Sequence, residues 1–130
     1  MIEDELKNRM QRFAVEVVRL VNELPKKQSA GVLGKQLLRC GTSIGANYRA
    51  ACRAKSKADF IAKLAIVEEE ADEAIYWLEL LVSTDIAAEE SVGHLIEEAS
   101  EFVAIAVSSI KTMRGPSLAQ SKIQIPKSKF

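Results

Sequence analysis

The sequence predicts an all-α protein, an antiparallel up-down-up-down four-helix bundle. Three observations carry that prediction. Apolar residues recur at alternating steps of three and four in four separate stretches. Ala, Leu, Glu, Lys and Arg are abundant, while Pro occurs three times in 130 residues. Only short polar segments separate the four stretches, as neighbouring antiparallel helices require.

The first stretch runs Leu6, Met10, Phe13, Val17, Leu20, Leu24, and Pro25 stops it. KKQSAG reads as the following loop. The second stretch runs Leu33, Leu37, Cys40, Ile44, Asn47, Ala51, which places Asn47 on the inner face. The third runs Phe60, Leu64, Val67, Ala71, Ala74, Leu78, Leu81. Ser56 followed by Asp59 resembles a capping box and starts this helix near Ser56. The link between the second and third helices is then very short, and a tight hairpin is expected there rather than one kinked helix. STDIAAEES (83–91) holds the next turn and the start of the fourth stretch. That stretch runs Val92, Leu95, Ala99, Phe102, Ala106, Ser109, Met113 and ends at Gly115-Pro116. Residues 1–114 are thus the bundle, and 115–130 a flexible basic C-terminal tail.

A second apolar row (Ile61, Ile75 and Val82 on the third helix; Ile96, Val103 and Ile110 on the fourth) widens two of these faces. Wide faces suit either the bundle core or burial against another subunit. Glu68 interrupts the row on the third helix. If buried it needs a partner, for which Arg39, Arg49 and Asn47 are candidates; otherwise it reaches water.

The chain is long enough for one substantial core, and its formal net charge is zero. Zero hides a segregation. Between Pro25 and Ala58 stand eight basic residues and no acid; between Asp59 and Glu101 stand thirteen acids and Lys63; from Phe102 onward stand five bases and no acid. With Leu33 at heptad position d, Lys35 and Arg49 fall at f, and Arg39 and Arg53 at c. These four form one outward stripe, with Thr42 and Ala46 as a small-residue saddle between its ends. Lys55 and Lys57 extend the basic window, and Tyr48 at e is placed to stack on a base or sugar. Such a surface suits a phosphate backbone. It equally suits a merely solvated face, or a surface that pairs with the acidic third helix within or between subunits.

Other chemistry is excluded. The single histidine, His94, has Ser91 three residues before it, so the Glu-x-x-His motif of di-iron bundles is missing. Cys40 and Cys52 lie about 18 Å apart along one helix, too far for a disulfide. They read as reduced thiols of a cytoplasmic protein. No Walker-type loop is present, and the early Glu3, Asp4 and Glu5 argue against a signal peptide. The longest charge-free runs, 40–48 and 102–110, are too short to cross a membrane. The expectation is a protein that is not an enzyme and needs no cofactor or metal.

Residues 34–81, GKQLLRCGTSIGANYRAACRAKSKADFIAKLAIVEEEADEAIYWLELL, resemble the signature of the four-helix-bundle family named after the 23S rRNA intervening-sequence protein. The resemblance rests on Gln36-Leu37 to Ser43-Ile44, on Ala46-Asn47 with the basic link after it, on Phe60, Ile61 and Leu64, and on Glu73 before Trp77-Leu78. Many members carry Ser where this chain has Glu70, so no role of that Ser carries over. The resemblance implies a bundle that assembles into ring-shaped homo-oligomers, commonly pentamers. It also implies a bacterial protein, since members of the family are encoded within intervening sequences of 23S rRNA genes or stand alone in bacterial genomes. A related branch comprises accessory proteins of diversity-generating retroelements, which bind a reverse transcriptase and nucleic acid. That branch is strongly basic, whereas this chain is neutral. Together these readings predict an RNA-associated homo-oligomer that uses Lys35, Arg39, Tyr48, Arg49, Arg53, Lys55 and Lys57. Asn47, Glu68 and Glu73 are the expected structural polar residues. The alternative is an assembly module whose basic stripe docks on the acidic surface of a neighbouring subunit or protein partner.

Overall fold

A computed structural model describes residues 2–115. Within them the chain forms four α-helices: α1 (Ile2–Asn22), α2 (Gln28–Cys52), α3 (Lys57–Ser83) and α4 (Glu89–Arg114). They make a four-helix bundle, and the described residues contain no strand. The expected C-terminal tail, beyond Gly115, lies outside the described residues.

The helix ends follow local chemistry. α1 stops at Asn22, and the amides of Glu23 and Leu24 reach back to Leu20 and Val21 in a tightened last turn ahead of Pro25. The loop is shorter than KKQSAG suggests. α2 already begins at Gln28, and the Gly31 amide donates to the Lys27 carbonyl at 3.0 Å. Helix here brings Ala30 into the core, a gain that outweighs the weak helix preference of Ser29 and Gly31. Ser56 caps α3 as its sequence position predicts, its hydroxyl accepting from the Asp59 amide at 3.0 Å. Between α3 and α4, Asp85 takes φ 60°, a left-handed conformation that a short polar side chain tolerates, and the amides of Ile86 and Ala87 both close onto the Leu81 carbonyl. Gly115, at φ 87°, ends α4.

The core is built from Leu6, Met10, Phe13 and Val17 of α1, from Leu64, Val67, Ala71, Ala74, Leu78 and Leu81 of α3, and from Val92, Leu95, Ala99, Phe102, Ala106 and Ile110 of α4. The apolar spacing anticipates most of these. At the end of α4, however, Ile110 takes the inner place that the heptad gives to Ser109. Ile61, Ile75, Val82, Ile96 and Val103 pack half-buried against this core, so the second apolar row serves the bundle itself.

α2 departs from its predicted phase. Its buried row is Ala30, Gly34, Leu37, Gly41, Ile44, Tyr48, Ala51, with Cys40 alongside; Leu33 and Asn47 sit at the flank. The cause is α1. A Cβ at Gly34 would lie 3.1 Å from Leu24 and 3.2 Å from Val21; one at Gly41 would lie 3.1 Å from both Val17 methyls; one at Gly45 would meet Met10 at 3.4 Å. Glycine lets the two backbones approach here, and the buried face of α2 turns toward α1 accordingly. These contacts step downward along α1 as they step upward along α2.

α2 packs most extensively against α3, and α3 nearly as much against α4. α1 and α4 meet through side chains instead. The rings of Phe13 and Phe102 sit edge to face with centroids 5.6 Å apart. The Arg9 guanidinium lies 5.3 Å over the Phe102 ring and donates to both Glu98 oxygens at 2.9 Å.

Candidate nucleic-acid interface

Each cation of the predicted stripe projects from the outer side of α2 or the corner after it, but they do not share one environment. Arg39 donates to Glu73 at 2.6 Å and to Glu70 at 3.5 Å, both on α3. Its charge is therefore engaged within the bundle. Arg49 leans the other way and donates to the Gln11 side chain of α1 at 3.0 Å. That partner is neutral, so the charge is not offset. Lys35, Arg53, Lys55 and Lys57 are exposed, and among the described residues none of them pairs with a carboxylate.

Position divides them further. Arg49 and Arg53 stand one turn apart in the last turn of α2 and just beyond it, and Lys55 and Lys57 follow across the link into α3. These four share one corner of the bundle. Lys35 lies fourteen residues before Arg49, about 21 Å away along the helix. The stripe is thus a four-cation corner plus a separate Lys35, with Arg39 withdrawn to α3.

Tyr48 is not beside the stripe. It is 9% exposed and belongs to the core, so it is not available to stack on a base. Burial, with the Cys52 thiol beside it, pushes its phenol well above the usual range. The heptad frame put Tyr48 outside because it counted Gly34 and Gly41 as non-core. Once those glycines face α1, Tyr48 falls on the same inward line.

The three structural polar residues also sort differently. Asn47 is half-buried and donates to the Ser43 carbonyl of its own helix at 2.9 Å, reaching no acid of α3. Glu68 is half-buried, and among the described residues none of Arg39, Arg49 or Asn47 pairs with it. Glu73 is the central one: it accepts from Arg39 and, at 3.0 Å, from the Trp77 indole N–H. Glu70 and Ser43 complete this cluster, the Ser43 hydroxyl donating to Glu70 at 3.0 Å. Reading by face missed Glu70 and Ser43. The i, i+4 spacing of Glu73 and Trp77 is the sequence signal that the cluster left.

Buried beneath this polar cluster, the Cys40 thiol is pushed up to about 12, first by burial and then by Glu73 and Glu70. Burial also raises the half-exposed Cys52 thiol. Both cysteines are free. His94 is exposed and contacts Glu16 of α1. Among the described residues no three His, Cys, Asp or Glu side chains are grouped to hold a metal ion, and no helix is long and apolar enough to cross a membrane.

Residues 3–108 match the family described as 23S rRNA-intervening sequence protein. The chain belongs to this family. A crystal structure from Bacteroides thetaiotaomicron VPI-5482, described as a protein with unknown function from the S23 ribosomal protein family, is 42% identical to it. The match covers 85% of this chain and 98% of that one, with a TM-score of 0.78. No curated protein matches the chain. In this 23S rRNA-intervening sequence protein family member, the matched span includes the whole basic corner as well as the Arg39–Glu70–Glu73–Trp77 cluster.

Proposed function

We propose that the chain is a non-enzymatic, cytoplasmic bundle protein that associates with RNA through the α2–α3 corner. Arg49, Arg53, Lys55 and Lys57 make the phosphate contacts in this reading, and Lys35 makes an outlying one. The carrying observation is that these cations are exposed and lack carboxylate partners among the described residues. Cations held free of acids attract phosphate, and the positive amino end of α3 adds to the field at the same corner. The family's description, which names a 23S rRNA intervening sequence, is consistent with an RNA setting.

The reading includes an up-down-up-down helix order and assembly into a ring-shaped homo-oligomer, a pentamer by the resemblance. The helix order is supported by contacts that step in opposite directions along α1 and α2, and along α2 and α3, where Arg39 meets Glu73 and Ser43 meets Glu70.

Mobility shift with structured RNA at rising salt tests the RNA contact. Affinity should fall steeply with salt. Arg49→Glu with Arg53→Glu should weaken binding and reduce the logarithmic salt slope by about 1.4 to 1.8, the share of two lost phosphate contacts. Absence of binding at low salt, or binding indifferent to salt, sinks the reading.

A second reading, an assembly or protein-partner module, is favoured by a different observation. Tyr76 and Val32 are each 56% exposed, and Tyr76 stands edge to face on Trp77 beside the Arg39–Glu73 pair. Exposed aromatic side chains of this kind anchor protein interfaces. Sedimentation of the wild type and the same double variant separates the two. Loss of the oligomer with intact helicity favours assembly, whereas an unchanged oligomer with lost RNA binding favours the RNA reading.

A further inference from the structure

At the basic corner the surface of the bundle is concave. The end of α2, the link after it and the first turn of α3 border a depression of about 480 Å³, which Glu3 of α1 and Met113 of α4 complete. That volume lies within the roughly 300 to 1,000 Å³ of sites that take a small molecule. Lys55 and Lys57 belong to its lining, with Cys52, Phe60 and Met113 as the apolar part. Neither lysine pairs with a carboxylate among the described residues. Glu3 is held by Lys7 at 3.1 Å, and Asp59, in the first turn of α3, by Lys63 at 3.2 Å. The amides of Lys57 and Ala58, the first of α3, have no acceptor among the described residues. Two ammonium groups and the positive end of a helix thus meet at one side of the depression, a setting that suits phosphate.

A second feature is independent of the helix end. Tyr48 also lines the depression, and it is only 9% exposed, so its ring is closed to stacking. Its hydroxyl is placed differently. After burial itself, the groups that raise the phenol are the Cys52 thiol and Glu3, both in the lining, so the hydroxyl end is the one that faces the depression. No carbonyl or carboxylate of the described residues accepts its proton. The Cys52 thiol beside it is a weak acceptor. A nearly buried donor in this condition gains from an oxygen brought in by a ligand. Phe60, half-buried in the same lining, offers the aromatic surface that Tyr48 does not.

We propose that this depression takes one unpaired nucleotide of RNA. Its phosphate sits on Lys55, Lys57 and the first α3 amides, its base lies against Phe60, and a sugar or base oxygen accepts from the Tyr48 hydroxyl. Arg49 and Arg53, outside the lining, carry the flanking phosphates. A base paired and stacked within a duplex cannot enter, whereas loops and strand ends can splay one out. The inference rests on the RNA reading and narrows it: the corner selects single-stranded segments over continuous duplex.

Fluorescence anisotropy of the full-length chain tests it with two labelled probes, a short unstructured RNA strand and the same strand fully paired with its complement, each at several salt concentrations. The single strand should bind more tightly than the duplex. Phe60→Leu keeps apolar bulk without the aromatic face. It should weaken single-strand binding about tenfold, the size of one lost stacking contact, and leave duplex binding unchanged. Tyr48→Phe keeps the ring in the core and should weaken single-strand binding about threefold, with the salt slope unchanged because no phosphate contact is lost. Thermal melting followed by circular dichroism checks that both variants fold, and Tyr48→Phe carries the test if Phe60→Leu does not. Equal affinity for the two probes, or single-strand affinity that neither substitution moves, overturns the proposal and leaves the RNA reading standing. Absence of binding to either probe at low salt overturns both.

Discussion

On the side of α2 that faces α1, Gly34, Gly41 and Gly45 bring two backbones together over Val17, Val21 and Met10. On the side that faces α3, Arg39 and Ser43 meet Glu70 and Glu73. One helix is thus held on one flank by steric fit and on the other by polar contacts. The steric flank is buried, and it has one register, because a branched Val17 side chain cannot move far out of the way. The polar flank is partly solvated; Arg39 is 54% exposed, so each contact there is worth little on its own. The two flanks share sequence neighbourhood but differ in what fixes them, and substitutions should fail differently on each.

The largest effect is expected on the steric flank. Gly41→Leu would place a side chain where even a Cβ lies 3.1 Å from both Val17 methyls, and should destabilise the bundle by about 3 kcal/mol in urea unfolding. Gly31, on the same helix with open space around it, gives the opposite sign. Gly31→Ala should stabilise by about 0.5 to 1 kcal/mol through helix propensity alone. Equal effects at the two glycines would break the comparison.

Alkaline pH probes the core beneath the polar flank. Burial pushes the folded Cys40 thiol up to about 12 from the 9.0 of an ordinary thiol. A pKa raised on folding gives stability that is complete below pH 9 and is lost progressively as pH rises from 9 toward 12. The melting temperature should therefore begin to fall above about pH 9, and less steeply in Cys40→Ala. At pH 8, an alkylating reagent followed by mass spectrometry should modify Cys52 before Cys40, which is fully buried.

Smaller effects belong to the polar flank itself. Glu73→Gln removes the charge that Arg39 meets while retaining an acceptor for Trp77, and should cost about 0.5 kcal/mol at low salt and less at 1 M salt. A loss that is unchanged by salt would show that the cluster acts through packing instead. Asn47→Ala should be nearly neutral, within about 0.5 kcal/mol, because the side chain only bonds its own helix and Ala is the better helix former. A large loss at Asn47 would restore the register-fixing role that its heptad position suggested.

Much of the bundle was legible in the sequence. The four helices, the Ser56 cap and the core rows of α1, α3 and α4 follow from apolar spacing and end signals, since each is a local property of the chain. The phase of α2 was not, because its buried line passes through glycines. Glycine has no side chain to mark a core position, and hydrophobic periodicity slides past it onto Leu33 and Asn47. The misplacement of Tyr48 is the same error seen from the other side.

The candidate site was legible only as composition. An acid-free basic window is a fact of the linear chain, and so are the thirteen acids after it. Which cations stay free is not. Arg39 and Glu73 are 34 residues apart and meet because the α2–α3 hairpin brings them level, while Arg49 finds Gln11 across 38 residues. Periodic burial is a short-range pattern, so the helices, the core rows of α1, α3 and α4, and the charge sorting were already written in the sequence. Pairing between charges depends on the distance across packed helices, and that distance is set here by three glycines against α1 and by the turn at Ser56. Only the tertiary structure therefore decided that the basic stripe divides into a paired Arg39, an outlying Lys35 and the free corner of Arg49, Arg53, Lys55 and Lys57.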